Sequence, residues 1–258
     1  MFSFQSVSEH FQISSFEWML AFIAAFLLGV SKAGIKGITI LIVTLLVLVF
    51  GGKASTGIMM PLLITGDIFA VIYYNRHAEW KYLFKLLPWM IIGVIIGSYV
   101  GLSLPESLFK QVMAVIILLT VCVMFWWDRK KEVKIPDYWW FAGVMGLSAG
   151  FTTMIGNLAG AFSNLFFLAM RVPKNVFIGT TAWLFFIINL FKLPFHIYHW
   201  ETINMRSFSV NLYLIPVLII GLFIGVKIVD KIKDHFYRKM ILVLTAVGAI
   251  VIFFKEIF

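Results

Sequence analysis

Apolar residues run along this chain in long blocks separated by short polar loops. The blocks cover roughly 17–31, 38–50, 54–74, 82–103 and 108–127, then 138–152, 158–170, 176–195, 208–228 and 236–254. Blocks of about 20 residues match one bilayer crossing as an α-helix, and no strand-like alternation competes with that reading. In each set of five the first two blocks are short and the last three are of spanning length. The pattern predicts an all-α polytopic membrane protein. It has two halves, 1–127 with a polar lead-in through residue 15, and 138–258, joined by the basic linker 128–137.

The halves echo one another in their punctuation. A shift of 122 positions lays Gly34 on Gly156, Gly57 on Gly179, Asp67 on Asn189 and His77 on His199, and a shift of 124 lays Gly97 and Gly101 on Gly221 and Gly225. A near-constant offset of this kind predicts an internal duplication. Glycines four apart, as in Gly93, Gly97 and Gly101, let helix backbones approach closely.

Charge placement then bears on topology. If each short pair of blocks enters and returns as a hairpin, Lys53, Lys110, Arg206 and Lys255 share one side of the membrane. Fourteen basic residues, including Arg129, Lys130, Lys131 and Lys134 of the linker, share the other. Basic residues accumulate on the cytoplasmic side, so the linker is expected inside and both termini are expected in the periplasm. The halves are then inverted-topology repeats, each a short broken-helix hairpin plus three spanning helices. Blocks of 13–15 residues rise only ~20 Å, which predicts half-depth hairpins.

Composition fits the same class and removes others. The chain has 258 residues, 62% hydrophobic and only 13% charged, where a soluble domain carries about 25% charged residues. Its basic residues lie in short loops rather than a continuous patch, so no nucleic acid is expected as a partner. The single Cys122 excludes an intrachain disulfide. No basic region precedes the first apolar block, so no cleavable signal peptide is expected. Nucleotide-binding and hydrolase motifs are missing, so neither an enzyme nor a cofactor is expected.

The candidate chemistry lies where the apolar pattern breaks. Gly29-Val-Ser-Lys-Ala-Gly-Ile-Lys-Gly places Ser31, Lys32, Gly34, Lys36 and Gly37 in the middle of a run from Phe16 to Phe50. A charge at membrane depth points to function, and broken backbone there must line a cavity or be buried in protein. The helix that follows would aim its positive N-terminus at the break, which favours an anion. The counterpart, Thr152 to Gly160, offers Thr153, Gly156, Asn157 and Gly160 but no charge. The expectation is an asymmetric anion site with lysines on one tip only. The alternative is that the lysines snorkel to an interface and the glycines serve packing.

Asp67 is the one acid deep in a spanning block. With Asn189 and Lys192 it would line the site, either holding a coupling proton or forming a fixed ion pair. Pro61, Pro88, Pro194 and Pro216 are expected to kink their helices. His196, His199 and Glu201 have a weak metal-like spacing, but their Tyr- and Trp-rich setting predicts an interfacial belt and no metal site.

These motifs resemble the sulfite exporter TauE/SafE family, also described as the 4-toluene sulfonate uptake permease group. The resemblance rests on Gly29 to Gly37, on Gly51-Gly-Lys-Ala-Ser-Thr-Gly, on Gly150 to Gly160 and on Pro173-Lys-Asn-Val-Phe-Ile-Gly-Thr-Thr. Lys36 and Asn157 stand where that family commonly has glycines. The resemblance implies a bacterial inner-membrane carrier of sulfite, sulfoacetate or another organosulfonate; the residues themselves suggest alternating access, with a proton at Asp67 as the candidate coupling ion. Its partners would be a small anionic substrate and the lipid bilayer, with a homo-oligomer left open. A passive anion channel, or a carrier of another small anion or a metal ion, are the alternatives.

Overall fold

A computed structural model describes residues 4–109 and 139–233, with single helical positions at 111, 112, 115, 119, 236, 240 and 243. The linker 128–137 and, apart from those positions and residues 108 and 109, the blocks 108–127 and 236–254 lie outside the described residues. The helices are α1 (Phe4–Phe11), α2 (Ser15–Lys32), α3 (Thr39–Phe50), α4 (Gly52–Tyr74) and α5 (Trp80–Ser103). In the second half they are α6 (Trp139–Gly156), α7 (Ala159–Ala169), α8 (Lys174–Pro194) and α9 (Met205–Val229). Among the described residues five stretches are long and apolar enough to cross a bilayer: Ser15–Lys32, Gly52–His77, Trp80–Ser103, Lys174–His199 and Met205–Val229. This is an all-α, multi-pass membrane protein. The exposed apolar side chains of α5 and α9, Phe84, Ile96, Ile220 and Phe223 among them, are what a lipid-facing surface requires.

The polar lead-in forms α1, which folds back so that the Phe4 ring meets Trp18 at 4.7 Å in a tilted pair and Tyr213 edge-on at 5.3 Å. One expectation needs correction: the legs of each hairpin are not both short. α2 and α6 are 18 residues each, about 27 Å long, whereas α3 has 12 residues and α7 has 11. Only the returning leg is too short to cross. The prolines sit inside α4, α5, α8 and α9.

Close helix contacts run between the halves. A Cβ on Gly29 would strike the Leu218 carbonyl oxygen, and one on Gly225 would meet Val30 and Ala33, so α2 lies along α9 in the same direction. A Cβ on Gly150 would strike the Met90 carbonyl oxygen, while Gly97 faces Phe151 and Met154, so α5 and α6 are likewise parallel. α4 and α8 instead run antiparallel. Gly57 abuts Thr202, Asp67 bonds to Asn189, and Gly179 abuts Tyr74 and His77. The slip in offset from 122 to 124 falls after these two helices. α4 ends in the tight 3-10 turn Asn75–His77, and α8 ends in the wider π-helical turn Phe195–His199 followed by Glu201 at φ +52°.

Candidate functional site

Both hairpin tips are buried in the middle of the molecule. Tip 1 ends α2 at Lys32 and turns on Gly34 and Gly37, whose φ angles of +125° and +101° lie where side chains are strained. Tip 2 turns on Asn157 at φ +56°, a conformation that asparagine tolerates better than most residues. The Asn157 N–H returns to the Thr153 carbonyl at 3.0 Å, and its side-chain amide donates to the Thr56 carbonyl of α4 at 3.2 Å.

A cavity of about 30 Å³ lies between the tips. Its walls include Ser31, Lys32, Lys36, Thr153, Asn157, Gly160 and Asn189, so seven of the residues singled out in the sequence converge there. Gly34, Gly37 and Gly156 do not line it. Gly34 packs against Ile178 and Val229, and Gly156 is buried at the end of α6. Asp67 and Lys192 stand just behind the walls, holding the residues that form them.

The charges are arranged by these two side chains. The Lys32 ammonium donates to the Asp67 carboxylate at 2.5 Å, and the Asn189 amide donates to the other Asp67 oxygen at 2.7 Å. Asp67 is therefore paired with Lys32 in this structure. Lys192 corrects the expectation that tip 2 is uncharged. Its ammonium donates to Asn157 Oδ1 at 2.6 Å, Thr153 Oγ1 at 3.1 Å and Asn189 Oδ1 at 3.4 Å. Three acceptors match the three N–H donors of a charged lysine. Lys36 differs from both. It is 5% exposed, and among the described residues no hydrogen bond or ion pair engages its ammonium, which lies over the Phe185 ring at 5.6 Å. A snorkelling lysine would reach an interface, and these three do not.

Two short helices begin at this cavity. Thr39 opens α3 and Ala159 opens α7, and both residues line the wall. The first N–H groups of any helix lack intrahelical partners. Ser14 and Asn204 cap α2 and α9 with their side chains, and Glu106 accepts from the Gly52 and Lys53 N–H groups at the start of α4. α5 and α8 begin among exposed residues, at Glu79 and Asn175. Only α3 and α7, of the helices lying beside the cavity, start inside the protein without a side-chain cap. Two positive helix ends and one unpaired ammonium converging on a cavity can hold a small anion.

Sequence reasoning missed Thr39, Asn164 and Phe185. Asn164 was findable, as a buried amide in an apolar block. Its Oδ1 has no hydrogen-bond partner among the described residues. The belt expected over residues 196–201 does not extend to His196 or Trp200, whose side chains are buried, while Tyr198 is exposed. The His196 ring is fully buried, with Nδ1 2.9 Å from Thr202 Oγ1 and the ring against Trp200. Among the described residues no group of three His, Cys, Asp or Glu could hold a metal ion.

No curated protein and no solved structure matches this chain. A family model described as Sulfite exporter TauE/SafE matches residues 20–252, which takes in both hairpins and every residue of the cavity wall. The chain belongs to the sulfite exporter TauE/SafE family.

Proposed function

We propose that this chain is a secondary carrier that moves a small sulfur oxyanion, sulfite or a short sulfonate, across a bacterial inner membrane by alternating access. The observation that carries the reading is the pair of uncapped helix N-termini, α3 and α7, facing one cavity with the unpaired Lys36 ammonium. Family membership supports sulfite as the first anion to test. The antiparallel crossing of α4 and α8 supports reading 1–127 and 138–258 as inverted repeats, since these helices hold matching places in the two halves. Transporters of that construction place the substrate near mid-membrane between the repeats. The basic count favours a cytoplasmic 128–137 linker and periplasmic termini.

Asp67 is the proposed coupling site. It is bonded to Lys32 and Asn189, both of which line the cavity. An anion that draws Lys32 away would leave a buried carboxylate without its cation. A proton is the smallest cation that can then take the place of Lys32 beside Asp67. Substrate and proton would then move together.

The test is flux in proteoliposomes with sulfite and short sulfonates under an imposed pH gradient. Substrate-accelerated exchange is expected, and Asp67→Asn is expected to remove the dependence on the gradient while anion binding persists. Conductance without exchange would instead mark a channel.

A further inference from the structure

We infer that Phe185 sets both the affinity and the size limit of the site, so that the preferred substrate is an oxyanion without a bulky organic tail. The inference rests on the anion-carrier reading and narrows its substrate class.

Phe185 comes from α8, yet both lysines of tip 1 sit over its ring, Lys32 at 5.5 Å and Lys36 at 5.6 Å from the centroid. Two ammonium groups over one ring repel each other, and what holds them differs. Lys32 is fixed from its other side by Asp67. For Lys36 the ring is the only partner of its ammonium among the described residues, so the negative π face decides where that charge sits. An anion then meets a lysine already aimed at the cavity, and less ordering remains to oppose binding.

The same ring limits space. Phe185 lines the cavity beside Leu28 and Leu63, and together they form its apolar wall. A volume of about 30 Å³ corresponds to roughly two water-sized probes. A compact oxyanion head is the largest group that approaches this scale. An alkyl or aryl substituent on sulfur would need the space that the Phe185 ring fills.

The experiment uses the full chain in proteoliposomes, following labelled sulfite exchange with sulfite, methanesulfonate and benzenesulfonate as competitors. Wild type is expected to prefer sulfite over benzenesulfonate by well over tenfold. Phe185→Leu keeps an apolar wall but loses the π face, and should raise the KM for sulfite about thirtyfold, the scale of one desolvated cation–π contact, with kcat little changed. Phe185→Tyr restores the π face and should recover most of that loss. Phe185→Ala should weaken sulfite binding and also narrow the preference over benzenesulfonate. Stabilisation of each purified variant by sulfite against heat separates a misfolded protein from a reshaped site. An unchanged KM in Phe185→Leu, or an unchanged preference in folded Phe185→Ala, overturns the inference while leaving the carrier reading intact. If wild type moves no anion, the carrier reading fails and this inference fails with it.

Discussion

The two hairpin tips face each other across one cavity and are built from different chemistry. Tip 1 bends on glycines and carries its own cations, one of them neutralised by an acid. Tip 2 bends on an asparagine and borrows its cation from α8, where neutral oxygens hold Lys192. The supports beneath them differ too. Tyr74 OH donates to the Ala33 carbonyl of tip 1 at 2.7 Å. A shift of 122 positions takes Tyr74 to His196, whose Nε2 is buried and unpartnered among the described residues. Tip 1 is thus held by an ion pair and a phenol, and tip 2 by the hydrogen bonds of the Lys192 ammonium to neutral oxygens. Three lysines against one aspartate leave the centre positive, which is the polarity an anion site needs.

The sharpest way to break this contrast is Asp67→Ala. It strands the Lys32 ammonium in a buried setting, and losing one partner of a buried ion pair costs about 3–5 kcal/mol. A large drop in the melting temperature of the detergent-solubilised protein is expected. Replacing both partners, Lys32→Met with Asp67→Leu, should cost less than the single change. Equal losses would show that Asp67 does not depend on Lys32.

A smaller effect separates the other two lysines. Lys192→Met leaves the oxygens of Asn157 and Thr153 without their donor, a loss of roughly 1.5–3 kcal/mol for hydrogen bonds to a charged group. Lys36→Met removes an ammonium with no acceptor to lose among the described residues, so thermal stability should hold or rise while anion affinity falls sharply. If Lys36→Met leaves anion affinity unchanged, tip 1 is not the binding element.

Tyr74→Phe comes next. It leaves the buried Ala33 carbonyl unsatisfied, at a cost of about 1–3 kcal/mol. His196→Phe should cost less, because the Nδ1–Thr202 hydrogen bond it loses is offset by removing a buried Nε2 that has no partner among the described residues. Paired melting curves test the difference, and a larger loss at His196 would show that the two positions are not counterparts.

Much of this was legible in the sequence because membrane helices must be apolar and interruptions stand out. Gly34, Lys36 and Asn157 broke the pattern, and the offset of 122 joined Asp67 to Asn189 before their 2.7 Å hydrogen bond was seen. What stayed hidden has a physical cause. Phe185 is one of 27 phenylalanines, and nothing local distinguishes a ring under two lysines from one facing lipid. The reach of Lys192 to tip 2 was equally invisible, since it depends on how α4 and α5, which pack against both helices, bring α8 to the end of α6. The apolar block 17–31 also fell short of α2 at both ends, because Ser15 and Phe16 belong to a capped first turn and Lys32 closes the last turn.

The smallest stability effect should come from Gly160→Ala, and its sign separates glycines that pack from glycines that shape the site. An added Cβ on Gly29 or Gly150 would collide with backbone. On Gly160 it would meet only Thr39 Oγ1 at 3.6 Å and Asn164 Nδ2 at 3.8 Å, which is ordinary contact. Gly160 is helical, in the first turn of α7, where alanine is favoured over glycine by up to ~1 kcal/mol. Folding should therefore be unchanged or slightly improved. The new methyl group nevertheless projects toward the cavity, occupying space in a volume of about 30 Å³. The melting temperature should hold or rise as sulfite affinity falls, and a stable variant with undiminished affinity would move the bound anion away from the start of α7.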